Sequence, residues 1–147
     1  MKRCDLHIHT VPSVSDREFT YDKEILSDYV AKTKLDVIAI TNHNLFDYAQ
    51  FQEIKDILPQ IVVLPGIEVD LEDGHILVIA NNDDRTLLDF NSKCEEIKNL
   101  IKSEADNITY DRFVGIFGDL SKYLLIPHYE KEPKLRKDIL EKLGRNI

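Results

Sequence analysis

Residues 68–80 read EVDLEDGHILVIA, two apolar strand-like runs joined by Glu72-Asp73-Gly74. An Asp-Gly pair between such runs signals a hairpin, because the turn calls for a backbone conformation that glycine adopts without steric cost. The second run is therefore antiparallel to the first. The start of HILVIAN (75–81) then stands beside the end of QIVVLPGIEVD (60–70), so His75 and Glu68 share one edge of the sheet.

Three more strand candidates are RCDLHIHT (3–10), LDVIAIT (35–41) and YLLIPH (123–128), each short and rich in Ile, Val and Leu. Helical patterns lie between them. Residues 21–34 set Ile25, Leu26, Tyr29 and Val30 along one stripe, and residues 44–58 do the same with Leu45, Tyr48, Ala49, Ile54 and Ile57, with Asn44 as the expected N-cap. Further helices are expected over 85–105, over 110–122 with interruptions at Gly115 and Gly118, and over 132–145 between Pro133 and Gly144. The β-α-β-α-β alternation with nearly continuous apolar strands predicts an α/β fold, its parallel strands covered by helices and its one exception the hairpin. Five strands are too few for an eight-stranded barrel. Either the sheet is open, or residues 1–147 are a single domain that forms the N-terminal part of a longer barrel domain or protein; the second is the expectation, because DILEKLGRNI (138–147) ends on a helix without a closing motif.

At 147 residues, with 43% hydrophobic and 31% charged side chains, the chain has the composition of a globular domain and not of a disordered segment. The net charge of −8 argues against a broad electrostatic grip on nucleic acid. A phosphate substrate would need local positive charge, which bound divalent ions supply without appearing in the residue count. Cys4 and Cys94 form no C-x-x-C pair, so neither a zinc knuckle nor a disulfide framework is readable. No run approaches the roughly 18 apolar residues of a membrane helix, and no apolar leader follows the basic N-terminus. A cytoplasmic location without a membrane partner is the expectation.

The five histidines carry the functional signal. In the first strand a period of two places Asp5, His7 and His9 on one face and Leu6 and Ile8 on the other. His43 and His128 follow the ends of later strands, and the hairpin brings in His75. All five fall on the carboxyl rim, where α/β folds place their sites, together with Glu68 and the nearby Asp16. A single histidine at a strand end is more often a hydrogen-bonded rim residue than a ligand. Five on one rim favour a metal centre, and a mixed imidazole and carboxylate set suits zinc, manganese or iron. Asp5 reads equally well as an acceptor that fixes an imidazole tautomer or as a salt-bridge partner of Lys2 or Arg3. Arg17 and Lys131 read as solvated charges, and Tyr129 as a packing residue.

With DLHIHT (5–10), ITNHN (40–44), LPGIEVD (64–70), GHILVI (74–79) and LIPHY (125–129) in this order, the chain resembles the PHP (polymerase and histidinol phosphatase) domain family. That resemblance implies a distorted seven-stranded β/α barrel, incomplete here at the C-terminus, and a metal-dependent phosphoesterase holding up to three divalent ions. It implies His7 and His9 as ligands of the first ion and Glu68 as a bridge to the second. His75 and His128 would complete the second, and Asp16 and His43 would serve the third. Glu68, His7, His9 and His128 would form the catalytic set. The implied partner is a phosphate-containing small molecule or a nucleic-acid end, with a possible fused C-terminal domain. Two departures stand out: the family commonly has Asp where this chain has Asn42, and the family's last motif, an Asp-x-His near G-S-D-x-H, has no counterpart after LIPHY. Two alternatives remain open. One is a non-catalytic metal-binding sensor or scaffold fused to a module such as an NTPase. The other is an amidohydrolase-type enzyme, which also opens with H-x-H but commonly bridges its ions with a modified lysine where this chain has Glu68.

Overall fold

Helix starts in this chain are set by short polar side chains that take up the first unpaired backbone N–H groups. In the computed structural model, which describes residues 1–12, 18–128 and 134–143, Asp22 caps α1 (Lys23–Thr33), Asp47 caps α2 (Tyr48–Ile57), Asp83 caps α3 (Asp84–Leu100) and Thr109 caps α4 (Tyr110–Phe117). A fifth helix, α5, spans Lys137–Leu143. Asn44 is not the cap of α2; it lies before the helix, buried, with a positive φ of 52°. The third helix stops at Leu100, short of the expected Ala105. The fourth stops where Gly118 takes φ 72°, and a 3₁₀ turn follows over Leu120–Lys122. Pro133 and Gly144, the expected bounds of the last helix, lie outside the described residues.

The strands are β1 (Cys4–Ile8), β2 (Val37–Ile40), β3 (Val62–Leu71), β4 (Gly74–Ile79) and β5 (Leu124–Pro127), paired in the order β1-β2-β3-β4-β5. The first three run parallel, while β4 is antiparallel to both β3 and β5. The fold is thus α/β with the expected hairpin. Leu71 pairs with Gly74 across a two-residue turn, and Gly74 has φ 144°. The registers Glu68↔Leu77 and Asp70↔His75 put these four residues on one face of the sheet. The alternate set, Ile67, Val69, Ile76 and Val78, is buried under the helices with Phe51, Phe90, Phe113 and Phe117.

The face bearing Glu68 is the inside of a curl. At opposite ends of the pairing order, β1 and β5 approach each other closely enough that the His7 and His128 rings stand 5.0 Å apart. Cys4, Leu6, Leu77, Ile126 and Pro127 line a cleft of about 480 Å³ between them, together with Asp5, His7 and His128. Five strands form a half-barrel where the resemblance implies seven. The strict alternation expected along β1 is broken: Asp5 pairs with Ile38 and Ile8 with Ile40, one extra residue on the β1 side. Leu6 lines the cleft, whereas Ile8 packs on the core. Cys94 is buried, Cys4 is exposed, and both are free thiols. No described helix is long and apolar enough to cross a membrane.

Candidate metal centre

Glu68 is fixed before its carboxylate does anything. The pairing of β2 with β3 continues past Ile40, with Glu68 N donating to Asn42 O (3.0 Å) and Asn44 N donating to Glu68 O (2.7 Å). His43 therefore sits directly across from Glu68. On the other side, Thr41 N donates to Ile8 O (2.8 Å), which ties the end of β1 to the same ladder. The Asn42 side chain finishes the join. Its Oδ1 accepts from Thr10 N (2.6 Å) and Val11 N (2.9 Å), and its Nδ2 donates to Thr10 Oγ1 (3.3 Å). The Thr10 hydroxyl in turn donates to Gln50 Oε1. Asn42, the first departure from the resembled family, thus holds the segment that leaves His9.

The His7 and His9 Nε2 atoms lie 2.9 and 3.0 Å from Glu68 Oε2, and 3.1 Å from each other. The Glu68 side chain is 1% exposed, while His7 at 34% faces the opening. Hydrogen bonding alone suits this trio poorly. If both imidazoles donate to the carboxylate, two N–H groups converge; if only one does, the other nitrogen faces the carboxylate lone pair to lone pair. A single cation resolves the conflict. Nitrogen and oxygen ligands about 2.0–2.2 Å from a tetrahedral ion stand roughly 3.3 Å apart, so the trio has to open by only a few tenths of an ångström.

A second group lies behind the first. His43 packs edge-on to His9, ring centres 4.6 Å apart, with its Nε2 3.4 Å from Glu68 Oε2. Its Nδ1 faces Asp70 Oδ1 at 3.7 Å, and His75 Nδ1 lies 2.5 Å from that same oxygen and 3.9 Å from Glu68 Oε1. His43, Asp70 and His75 thus place one donor atom each in a common space, as His7, His9 and Glu68 do. Burial by itself raises the Asp70 carboxyl, but the hydrogen bonds from His75 and Asn44, with the His43 ring close by, outweigh it and hold the group well below the usual carboxylate range. Glu68 turns Oε2 to His7, His9 and His43 and Oε1 towards His75, so its carboxylate spans both groups.

Of the residues singled out in the sequence, His7, His9, His43, Glu68 and His75 converge within this one region. The His128 ring stands against His7, and its backbone N–H donates to His75 O at 3.0 Å. Asp16 lies outside the described residues, as do Arg17, Tyr129 and Lys131. Asp5 takes neither of its expected roles. It accepts from His7 N (3.1 Å) and from the Tyr29 hydroxyl (2.7 Å), whereas Lys2 pairs with Asp36 at 3.2 Å. Asp70 escaped the sequence reading, although its signal was present: it is two residues beyond Glu68 on the same face and opposite His75 in the hairpin.

No protein-family model matches the sequence, and no curated relative is found. Two solved structures are similar to part of the chain. One is a two-domain protein of Bacteroides vulgatus, named as containing a predicted PHP-like metal-dependent phosphoesterase, with 18% identity and a TM-score of 0.43 over 64% of this chain and 33% of its own. The other, from Bifidobacterium adolescentis and by name a "putative metal-dependent phosphoesterase", has 20% identity and a TM-score of 0.46 over 80% of this chain and 44% of its own. The chain thus spans less than half the length of either structure.

Proposed function

We propose that this chain carries the metal centre of a hydrolase that cleaves a phosphate ester with a metal-activated water. The observation that carries the proposal is the trio of His7 Nε2, His9 Nε2 and Glu68 Oε2, mutually 2.9–3.1 Å apart around a buried carboxylate at the carboxyl rim. Zinc, manganese or iron fits a set of imidazoles and carboxylates. Bound there, such ions lower the pKa of water and neutralise charge on phosphate oxygens.

The chain's own residues have separate tasks. His7 and His9 hold the first position, and Glu68, whose two oxygens face different histidines, reaches from it towards His75. The partial exposure of His7 and the cleft beside His7 and His128 give a substrate an approach from the inside of the curl. His128, implied by the resemblance as a ligand of the second ion, stands against His7 at that cleft. Phosphorus chemistry is preferred over amide hydrolysis because a glutamate occupies the bridging position and because the five motifs resemble the PHP family in order. The substrate in this reading is a phosphate-containing small molecule or a nucleic-acid end. The net charge of −8 favours the small molecule.

The test is metal content per chain by elemental analysis after metal-replete purification, for wild type and His7→Ala, alongside a panel of phosphate mono- and diesters. The wild type should retain transition metal and release phosphate or alcohol from at least one ester, and His7→Ala should lose both. Wild-type protein free of transition metal would overturn the reading. Bound metal without turnover of any ester would replace it with the non-catalytic sensor.

A further inference from the structure

Two histidines in the second group present the same ring atom to the same oxygen. His75 Nδ1 lies 2.5 Å from Asp70 Oδ1, and His43 Nδ1 lies 3.7 Å from it. Three donors arranged this way invite reading Asp70 as the ligand of an ion of its own. The distances oppose it. Ligand atoms that share an ion at about 2.0–2.2 Å stand roughly 3 Å or more apart, whereas His75 Nδ1 and Asp70 Oδ1 stand at the 2.5 Å of a hydrogen bond. We propose instead that Asp70 is a positioning residue, a carboxylate shared by His43 and His75 that fixes both rings as Nδ1–H tautomers and leaves Nε2 as the metal-binding atom of each.

The His43 ring is turned for this arrangement and has to approach Asp70 by a few tenths of an ångström to donate. Its Nδ1 side faces Asp70, and its Nε2 lies 3.4 Å from Glu68 Oε2, beside the first group. Carboxylate, imidazole and candidate ion position follow one another in the order common around metal-binding histidines, where the carboxylate sets the tautomer and makes the ring a better donor. For His75 the hairpin supplies the alignment, since Asp70 and His75 are paired across a two-residue turn and cannot drift apart without breaking the β3–β4 register.

Asp70 is itself held. Asn44 Nδ2 donates to Asp70 Oδ2 at 3.0 Å, and Asp70 N donates to Asn44 Oδ1 at 2.9 Å, a reciprocal clamp that dictates which oxygen faces the histidines. To make the clamp, Asn44 adopts φ 52°, a left-handed conformation that few residues other than glycine tolerate and that asparagine tolerates best.

This inference rests on the metal-centre reading for its purpose, but its test needs only zinc and no turnover. Long-range proton–nitrogen NMR of the imidazoles, in protein prepared without metal and then titrated with zinc, reads each tautomer directly. In the wild type, His43 and His75 should be Nδ1–H tautomers in both states and should take zinc through Nε2. Asp70→Ala should give mixed tautomers without zinc and weaken zinc binding about 10–100-fold, with the number of ions at saturation unchanged. Asp70→Asn combined with Asn44→Asp, which keeps an oxygen facing His75 and preserves the clamp, should restore the Nδ1–H tautomer. Zinc on Nδ1 of His75 in the wild type would overturn the proposal. So would the loss of one whole ion in either Asp70 variant. If zinc does not bind at all, the metal reading fails by itself, while the tautomers of the zinc-free wild type still decide whether Asp70 fixes the rings and require no variant to fold.

Discussion

Asn42 commits its whole amide to the segment after His9, accepting from two backbone N–H groups and donating to a hydroxyl, with 1% of its surface exposed. Removing a buried acceptor strands the donors that used it, at about 1–3 kcal/mol. Asn42→Ala should therefore lose stability in that range on chemical denaturation. Asn42→Asp keeps an acceptor for Thr10 N and Val11 N but gives up the 3.3 Å bond to Thr10 Oγ1 and buries a charge that those two N–H groups must hold, so it should lose less stability than Asn42→Ala without matching the wild type. Equal losses in the two variants would show that the amide is not what ties β1 to β2. This bears on the sequence departure at Asn42. An aspartate there, as in the resembled family, can satisfy the same two N–H groups, so the exchange leaves the join between β1 and β2 intact.

At the level of elements, the site depends on how tightly β2 lies against β3. Gly66, two residues before Glu68 and on its face, marks the tightest place: a Cβ there would stand 2.6 Å from Thr41 Cγ2 and 3.0 Å from Ile40 O. The methyl of Thr41 is buried and the carbonyl belongs to the ladder, so neither neighbour yields easily. Gly66→Ala should cost about 1–3 kcal/mol through overpacking. Gly115→Ala is the control, since its Cβ would meet nothing within 4 Å and it lies inside α4, where alanine should gain up to about 1 kcal/mol. Urea midpoints measure both, and a neutral Gly66→Ala would mean that β2 and β3 can separate there without penalty. The strands and the hairpin were legible in the sequence because period-two burial and an Asp-Gly turn are local signals. The bulge between Asp5 and Ile8 was not, because an extra residue on one strand is visible only against its partner. The start of α2 was misplaced for a related reason. Asn44 and Asp47 are both competent caps, and the site, by drawing Asn44 onto Asp70, left Asp47 to begin the helix.

Over the whole molecule, a curled sheet with helices outside turns residues distant in sequence into neighbours at one mouth. His7 and Glu68, 61 positions apart, meet at 2.9 Å. That convergence was legible from topology alone, since parallel strands end on the same rim and a hairpin returns there. The grouping within the rim was not, because whether His43 leans towards Glu68 or Asp70 depends on ring rotation that no sequence pattern encodes. The same geometry concentrates imidazoles and two buried carboxylates in a small space, an arrangement that a cation relieves. Metal should therefore bind the folded chain far better than the unfolded one and stabilise it by linkage. Free zinc about 100-fold above its dissociation constant contributes about 2.7 kcal/mol, which for a domain of this size raises Tm by roughly 5–10 °C. Thermal melts in chelator and in excess zinc measure the shift, and Glu68→Gln, which removes the charge facing both groups, should abolish most of it. An identical Tm in chelator and zinc would mean that the rim does not bind the ion, however well its side chains converge.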